Sequence, residues 1–84
     1  MKAANRTIQV EYFAHLRERR GLARESVVTA AATAAGLFEE LAARHEFRIE
    51  RARVRVAVND AVVPWETPLA GGDRVVFLTP FGGG

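Results

Sequence analysis

The chain contains no cysteine. That removes disulfides as a brace, a thiolate as a nucleophile and any cysteine-based metal site. Histidine is nearly as scarce: His15 and His45 are the only two, too few for a His-rich metal centre. No apolar run approaches the roughly 20 residues that cross a bilayer. The opening MKAANRTIQV lacks the charged-then-apolar layout of a secretory signal. A glycine-rich phosphate loop is missing too, because AGGD is not followed by a helical pattern. Together these absences lead to the expectation of a cytoplasmic protein that enters no membrane and carries no metal or cofactor of its own.

What is present is compatible with one domain. At 84 residues, 49% of them apolar, the chain sits near the lower size at which a domain folds alone. The net charge is only +2, although eleven of the twelve cations are arginine. Arg17, Arg19 and Arg20 crowd into RERR, and Arg48, Arg51, Arg53 and Arg55 into RIERARVR. Ten acidic residues are interspersed, and no basic run is interleaved with stacking aromatics, as single-strand binders require. Solvated charge is the better reading, and no nucleic-acid partner is expected.

Periodicity then orders the elements. TIQVEYFA alternates with Ile8, Val10 and Tyr12 on one side, the pattern of a half-buried strand; Phe13 falls on the outward side. HLRERRG reads as a short polar helix or loop capped by Gly21, and ESVVTA as a second strand. Thr33 can cap a helix whose apolar face is Ala34, Leu37, Phe38, Leu41 and His45. Gly36 interrupts that helix for no reason visible in the sequence. ARVRVAVND alternates around Val54, Val56 and Val58; Asn59-Asp60 is a turn, AVVPW a brief return strand, and Leu69 anchors the loop ETPLAGGD. RVVFLT is the last strand, with Val75 and Phe77 inward and Val76 and Leu78 outward. The order strand, strand, helix, strand, short strand, strand predicts an α+β fold, a mixed sheet packed on one main helix, as in the β-grasp or ubiquitin-like architecture.

Conventional chemistry is hard to find. Ser26, His15 and Asp73 exist, but no nucleophile elbow accompanies them. Adjacent Glu39 and Glu40 point about 100° apart on a helix and read as a solvated face, not an acid–base pair. The remaining candidate is TPFGGG, expected to form a tail over residues 79–84 beyond a domain spanning 1–78. A glycine-rich end is often merely mobile. Its bareness also suits a narrow channel, since glycine has no Cβ. Extended, Thr79 to Gly84 reaches roughly 20 Å, enough to present the α-carboxylate inside another protein.

At this point the chain resembles the small subunit of molybdopterin synthase, a ubiquitin-like sulfur carrier. The likeness lies in VEYFAHLRERRG and in VAVNDAVVPWETPLAGGDRVVFLTPFGGG: an aromatic strand leading to LRE, a VN strand end, PLAGGDRVVFL, and a closing Gly-Gly. It implies that a ubiquitin-activating-type adenylating enzyme uses ATP and magnesium to activate the Gly84 carboxylate. A persulfide-derived sulfur then leaves a thiocarboxylate, which the large synthase subunit consumes. Gly84 carries the reactive role and Gly83 the threading role; ending at Gly-Gly, the chain would need no trimming. Thr79-Pro80 replaces the family's usual two prolines, and Phe81 and Gly82 also depart from its pattern. Phe13, Val62, Leu78, Pro80, Phe81 and Gly82 are expected to form the partner-binding patch. Carriers for thiamine, cysteine or secondary metabolites, and a ubiquitin-like modifier or interaction module, remain as alternatives.

Overall fold

Alternation in TIQVEY becomes strand β1 (Arg6–Tyr12), with Ile8, Val10 and Tyr12 buried. The computed structural model describes residues 5–79. After β1, Phe13 keeps an extended backbone and precedes helix α1 (Ala14–Arg20), which Gly21 closes in the left-handed conformation at φ 82°. That C-terminal glycine follows from the orphan carbonyls of the last turn: the Gly21 N–H donates to the Arg17 carbonyl at 2.8 Å, and no Cβ opposes the positive φ. Strand β2 (Arg24–Thr29) returns antiparallel to β1, the long-looped hairpin expected from the sequence.

Helix α2 (Ala34–His45) begins at Thr33, whose hydroxyl accepts from the Gly36 N–H at 3.2 Å. Ala34, Leu37, Phe38 and Leu41 are buried, while His45 is only half-buried and rests against Phe47. Glu40 differs from the expected solvated acid. It is half-buried, accepts the Thr29 hydroxyl at 2.6 Å and pairs with Arg44 at 2.7 Å. A 3₁₀ turn at Arg51–Arg53, unforeseen in the sequence, leads into β3 (Arg55–Val58).

Strands β3 and β4 (Ala61–Val63) are joined by Asn59 and Asp60, both at positive φ (51° and 75°). A two-residue turn of this kind matches the natural twist of a hairpin. Strand β5 (Arg74–Leu78) then enters between β1 and β3, parallel to the first and antiparallel to the second. The five-stranded order is β2-β1-β5-β3-β4, so the first and last strands are internal, as their dense apolar residues require. One face of the sheet packs on α2 through a single core, in which Phe38 meets Phe77 edge-on at 5.3 Å and Trp65 at 5.3 Å.

Candidate docking face and tail root

The other face of the sheet carries no helix among the described residues, and the register states which side chains share it. One row across the strands is Glu11, Val76, Ala57 and Val62. The next holds Leu78 opposite Arg55, and Phe13 continues β1 beside Leu78 by strand alternation. Phe13 and Val62, the ends of this patch, are 44% and 61% exposed. From β1 to β4 is three strand spacings, so the patch spans roughly 14 Å. Ala57 is buried here although it faces outward; its small methyl lies between Val76 and Val62 in the row. Isolated exposed apolar residues mean little, whereas a contiguous group is a candidate contact surface.

Three of the residues expected to dock, Phe13, Val62 and Leu78, therefore lie on one face. Pro80, Phe81, Gly82, Gly83 and Gly84 lie outside the described residues. Sequence reasoning placed Val76 outward without adding it to the patch; its shared parity with Leu78 was the available signal. Ser26, His15 and Asp73 are not assembled into a catalytic unit. Ser26 donates to Gln9 on the open face, and Asp73 accepts from Asn59 and from the Ala70 N–H in its own turn. Among the described residues no group of three or more His, Asp or Glu side chains could hold a metal ion, and no helix is long and apolar enough to cross a membrane.

Strand β5, which leads to the tail, is pinned at its start and borders a cavity at its end. At its start, the Asn59 side chain accepts the Arg74 N–H at 3.0 Å and donates to Asp73 at 3.0 Å. The backbone N–H of Asn59 donates to the Arg74 carbonyl at 2.8 Å. At its other end, where Leu78 passes to Thr79, Ala52, Arg53 and Arg55 join those two residues around a cavity of about 280 Å³.

Behind Phe13, the helix α1 is locked to the sheet by an ionic cluster. The Tyr12 hydroxyl donates to Glu25 Oε2 at 2.6 Å, and Arg20 donates to both Glu25 oxygens at 2.8 Å. Burial, reinforced by the hydrogen bond to Glu25, pushes the Tyr12 phenol well above the ordinary tyrosine range. The Arg20 hydrogen bonds hold the Glu25 carboxyl below its usual range, and the same contact strengthens the Arg20 charge. Partial burial lowers His45. The contacts behind these shifts brace the frame of the site.

Comparison with known proteins agrees with this geometry. A putative molybdopterin converting factor subunit 1 from Pyrococcus furiosus superposes with a TM-score of 0.76 at 33% identity, covering 89% of this chain and 98% of that one. The complex of BexX and CysO from Amycolatopsis orientalis contains a similar fold: TM-score 0.67, 25% identity, 92% and 99% covered. So does a complex of molybdopterin-converting factor subunits 1 and 2 from Helicobacter pylori 26695, with TM-score 0.63, 24% identity, and 93% and 99% covered. A search of curated proteins returned no match. The profile of one family matches residues 10–84, from the middle of β1 through the closing glycines, and the chain belongs to that family, the ThiS family.

Proposed function

We propose that the protein is a sulfur carrier whose working group is the Gly84 carboxylate, and that it serves as the small subunit of molybdopterin synthase. A carboxylate is a poor acyl donor because oxide is a poor leaving group. An adenylating enzyme with ATP and magnesium forms the acyl-adenylate and releases pyrophosphate. A persulfide sulfur then attacks the acyl carbon and expels AMP, and a thiol reductant cleaves the resulting acyl disulfide to free the thiocarboxylate. The large synthase subunit accepts the tail and transfers the sulfur to a pterin precursor. Gly83 lets the backbone thread a narrow channel, while Phe13, Val62 and Leu78, with Pro80, Phe81 and Gly82, seat the base of the tail. The observation that carries this reading is family membership combined with an apolar open face that leads directly to the tail root.

The test is intact mass. After incubation with the cognate adenylating enzyme, ATP, magnesium and a persulfide donor, the chain gains about 16 Da as sulfur replaces oxygen. No gain overturns the carrier reading, whereas isopeptide adducts on other proteins indicate a modifier. The likeness to the chain bound in the BexX–CysO complex supports a second reading, a carrier serving another sulfur-requiring route. Complementation of a molybdenum-cofactor-deficient strain against a thiamine auxotroph separates the pathways.

A further inference from the structure

The cavity at the tail root has unusual walls. Among the described residues, five arginines are ion-paired with carboxylates of the same chain. Arg53 and Arg55, which line the cavity, have no ion pair or side-chain hydrogen bond among the described residues. Arg17, Arg24 and Arg48 are alike in this respect but do not line it. Thr79 lines it too, and its hydroxyl oxygen is buried with no hydrogen-bond partner. Such an oxygen is costly to leave unsatisfied, and it shares the lining of this small space with two exposed arginines.

We propose that Arg53, Arg55 and Thr79 form a clamp for a single carboxylate, an aspartate or glutamate side chain of the protein that docks on the open face. The volume, about 280 Å³, is below that of a typical small-molecule site yet ample for one acidic side chain. Guanidinium groups bind carboxylates bidentately, and a hydroxyl can add a third bond. Continuity selects a docked protein as the source. Arg55 stands opposite Leu78 in the β3–β5 register, so the cavity adjoins the apolar patch and one partner can cover both. An acid held there fixes the point from which the tail departs, immediately after Leu78. This inference rests on the docking role of the open face argued above.

Binding of the full-length chain to the molybdopterin synthase large subunit of the same organism, measured by calorimetry, tests it. The V62D variant reports on the face, and the R53A/R55A double variant on the clamp. Both variants weaken binding if the proposal holds, the double variant by about tenfold to a hundredfold. Its melting temperature stays within about two degrees, since both side chains are exposed or open to solvent. Weakening by V62D with R53A/R55A within twofold of the original chain overturns the clamp and leaves the docking face standing. No binding by the original chain, or no effect of V62D, overturns the docking reading and the clamp with it. Chemistry supplies a second readout, because Lys2 is the only native lysine. In R55K, carbodiimide should join the introduced amine to one acidic residue of the partner; absence of that cross-link in a complex that still forms overturns the clamp.

Discussion

Replacing Tyr12 with phenylalanine removes one oxygen and probes the joint that holds α1, and with it Phe13, against the sheet. Tyr12 is 1% exposed, while the side chains of Glu25 and Arg20 are 15% and 26% exposed. The phenol's hydrogen bond to Glu25 is short, 2.6 Å, and its acceptor is ionised. A bond of that kind contributes about 1.5–3 kcal/mol. The ring itself stays, keeping its contacts with Phe47 and Phe77 at 5.8 and 6.3 Å, so no cavity opens. Glu25 also keeps both bonds from Arg20, so no charge is orphaned. The lower part of the range applies, about 1.5–2 kcal/mol. For a chain of 84 residues, with about 4–8 °C per kcal/mol, the melting temperature falls by roughly 6–16 °C.

Glu25→Ala is the harsher control, because it leaves a buried hydroxyl and a half-buried guanidinium without their acceptor. Its expected cost is about 2–3 kcal/mol. Urea unfolding followed by circular dichroism measures both. The reasoning is refuted if Tyr12→Phe lies within about 0.3 kcal/mol of the original chain, or if Glu25→Ala costs no more than Tyr12→Phe. The pH dependence has a definite sign. Glu25 has a folded pKa below its unfolded value, so its contribution is complete above the ordinary carboxylate range and disappears as pH falls through the folded value. Glu25→Ala therefore loses part of the acid-side slope.

Other perturbations give direct expectations. Tyr12 is the only tyrosine, so absorbance near 295 nm should show no phenolate at pH 10–11 while the fold persists, although a free tyrosine ionises near 10; a transition there in folded protein contradicts the burial and bonding described. A Cβ at Gly36 would meet Ala31 Cβ at 3.4 Å and Thr33 Oγ1 at 3.5 Å, which is tight but tolerable contact, so Gly36→Ala should raise stability by about 0.5–1 kcal/mol; denaturant midpoints decide the sign. Thr33→Ala removes the N-cap and should cost about 1 kcal/mol by the same measurement. Deleting Gly84 should abolish thiocarboxylate formation in the mass assay while leaving the melting temperature nearly unchanged; a large stability loss would mean that the tail is structural.

Much of this fold was legible because it is written in local periods. Strict alternation in β1 and β5 placed Phe13 and Leu78 outward before any contact was known, and the positive-φ turn at Asn59-Asp60 fixed the β3–β4 hairpin. Thr33, Gly21 and Leu69 likewise announced themselves through capping and anchoring rules. Gly36 was puzzling in the sequence because its neighbour, Ala31, comes from the loop preceding the helix and not from the helical period. The Tyr12–Glu25–Arg20 cluster was hidden differently. Glu25 shares inward parity with Val27 and Thr29, yet an inward acid reads as a strand end until its partners are known. Glu40 was misjudged for the same reason: its place on the helix marks a solvated face, and Thr29 arrives from β2.

The candidate site divides along the same line, and the division explains why its most specific sequence features lie away from the predicted reactive end. The VN and AGGD segments act at the start of β5, where Asn59 binds both Asp73 and Arg74 and Gly72 donates to the Thr7 carbonyl at 2.8 Å. They set the register of a central strand. That register carries Val76 and Leu78 to the open face beside Ala57 and Arg55. A slip of one residue would turn Leu78 into the core and Phe77 out of it, destroying the face and the cavity together. Alternation could therefore name the apolar members of the surface, but the pairing of Arg55 with Leu78 depends on where two distant strands meet. The tail's point of departure is thus determined at the opposite end of the strand that bears it.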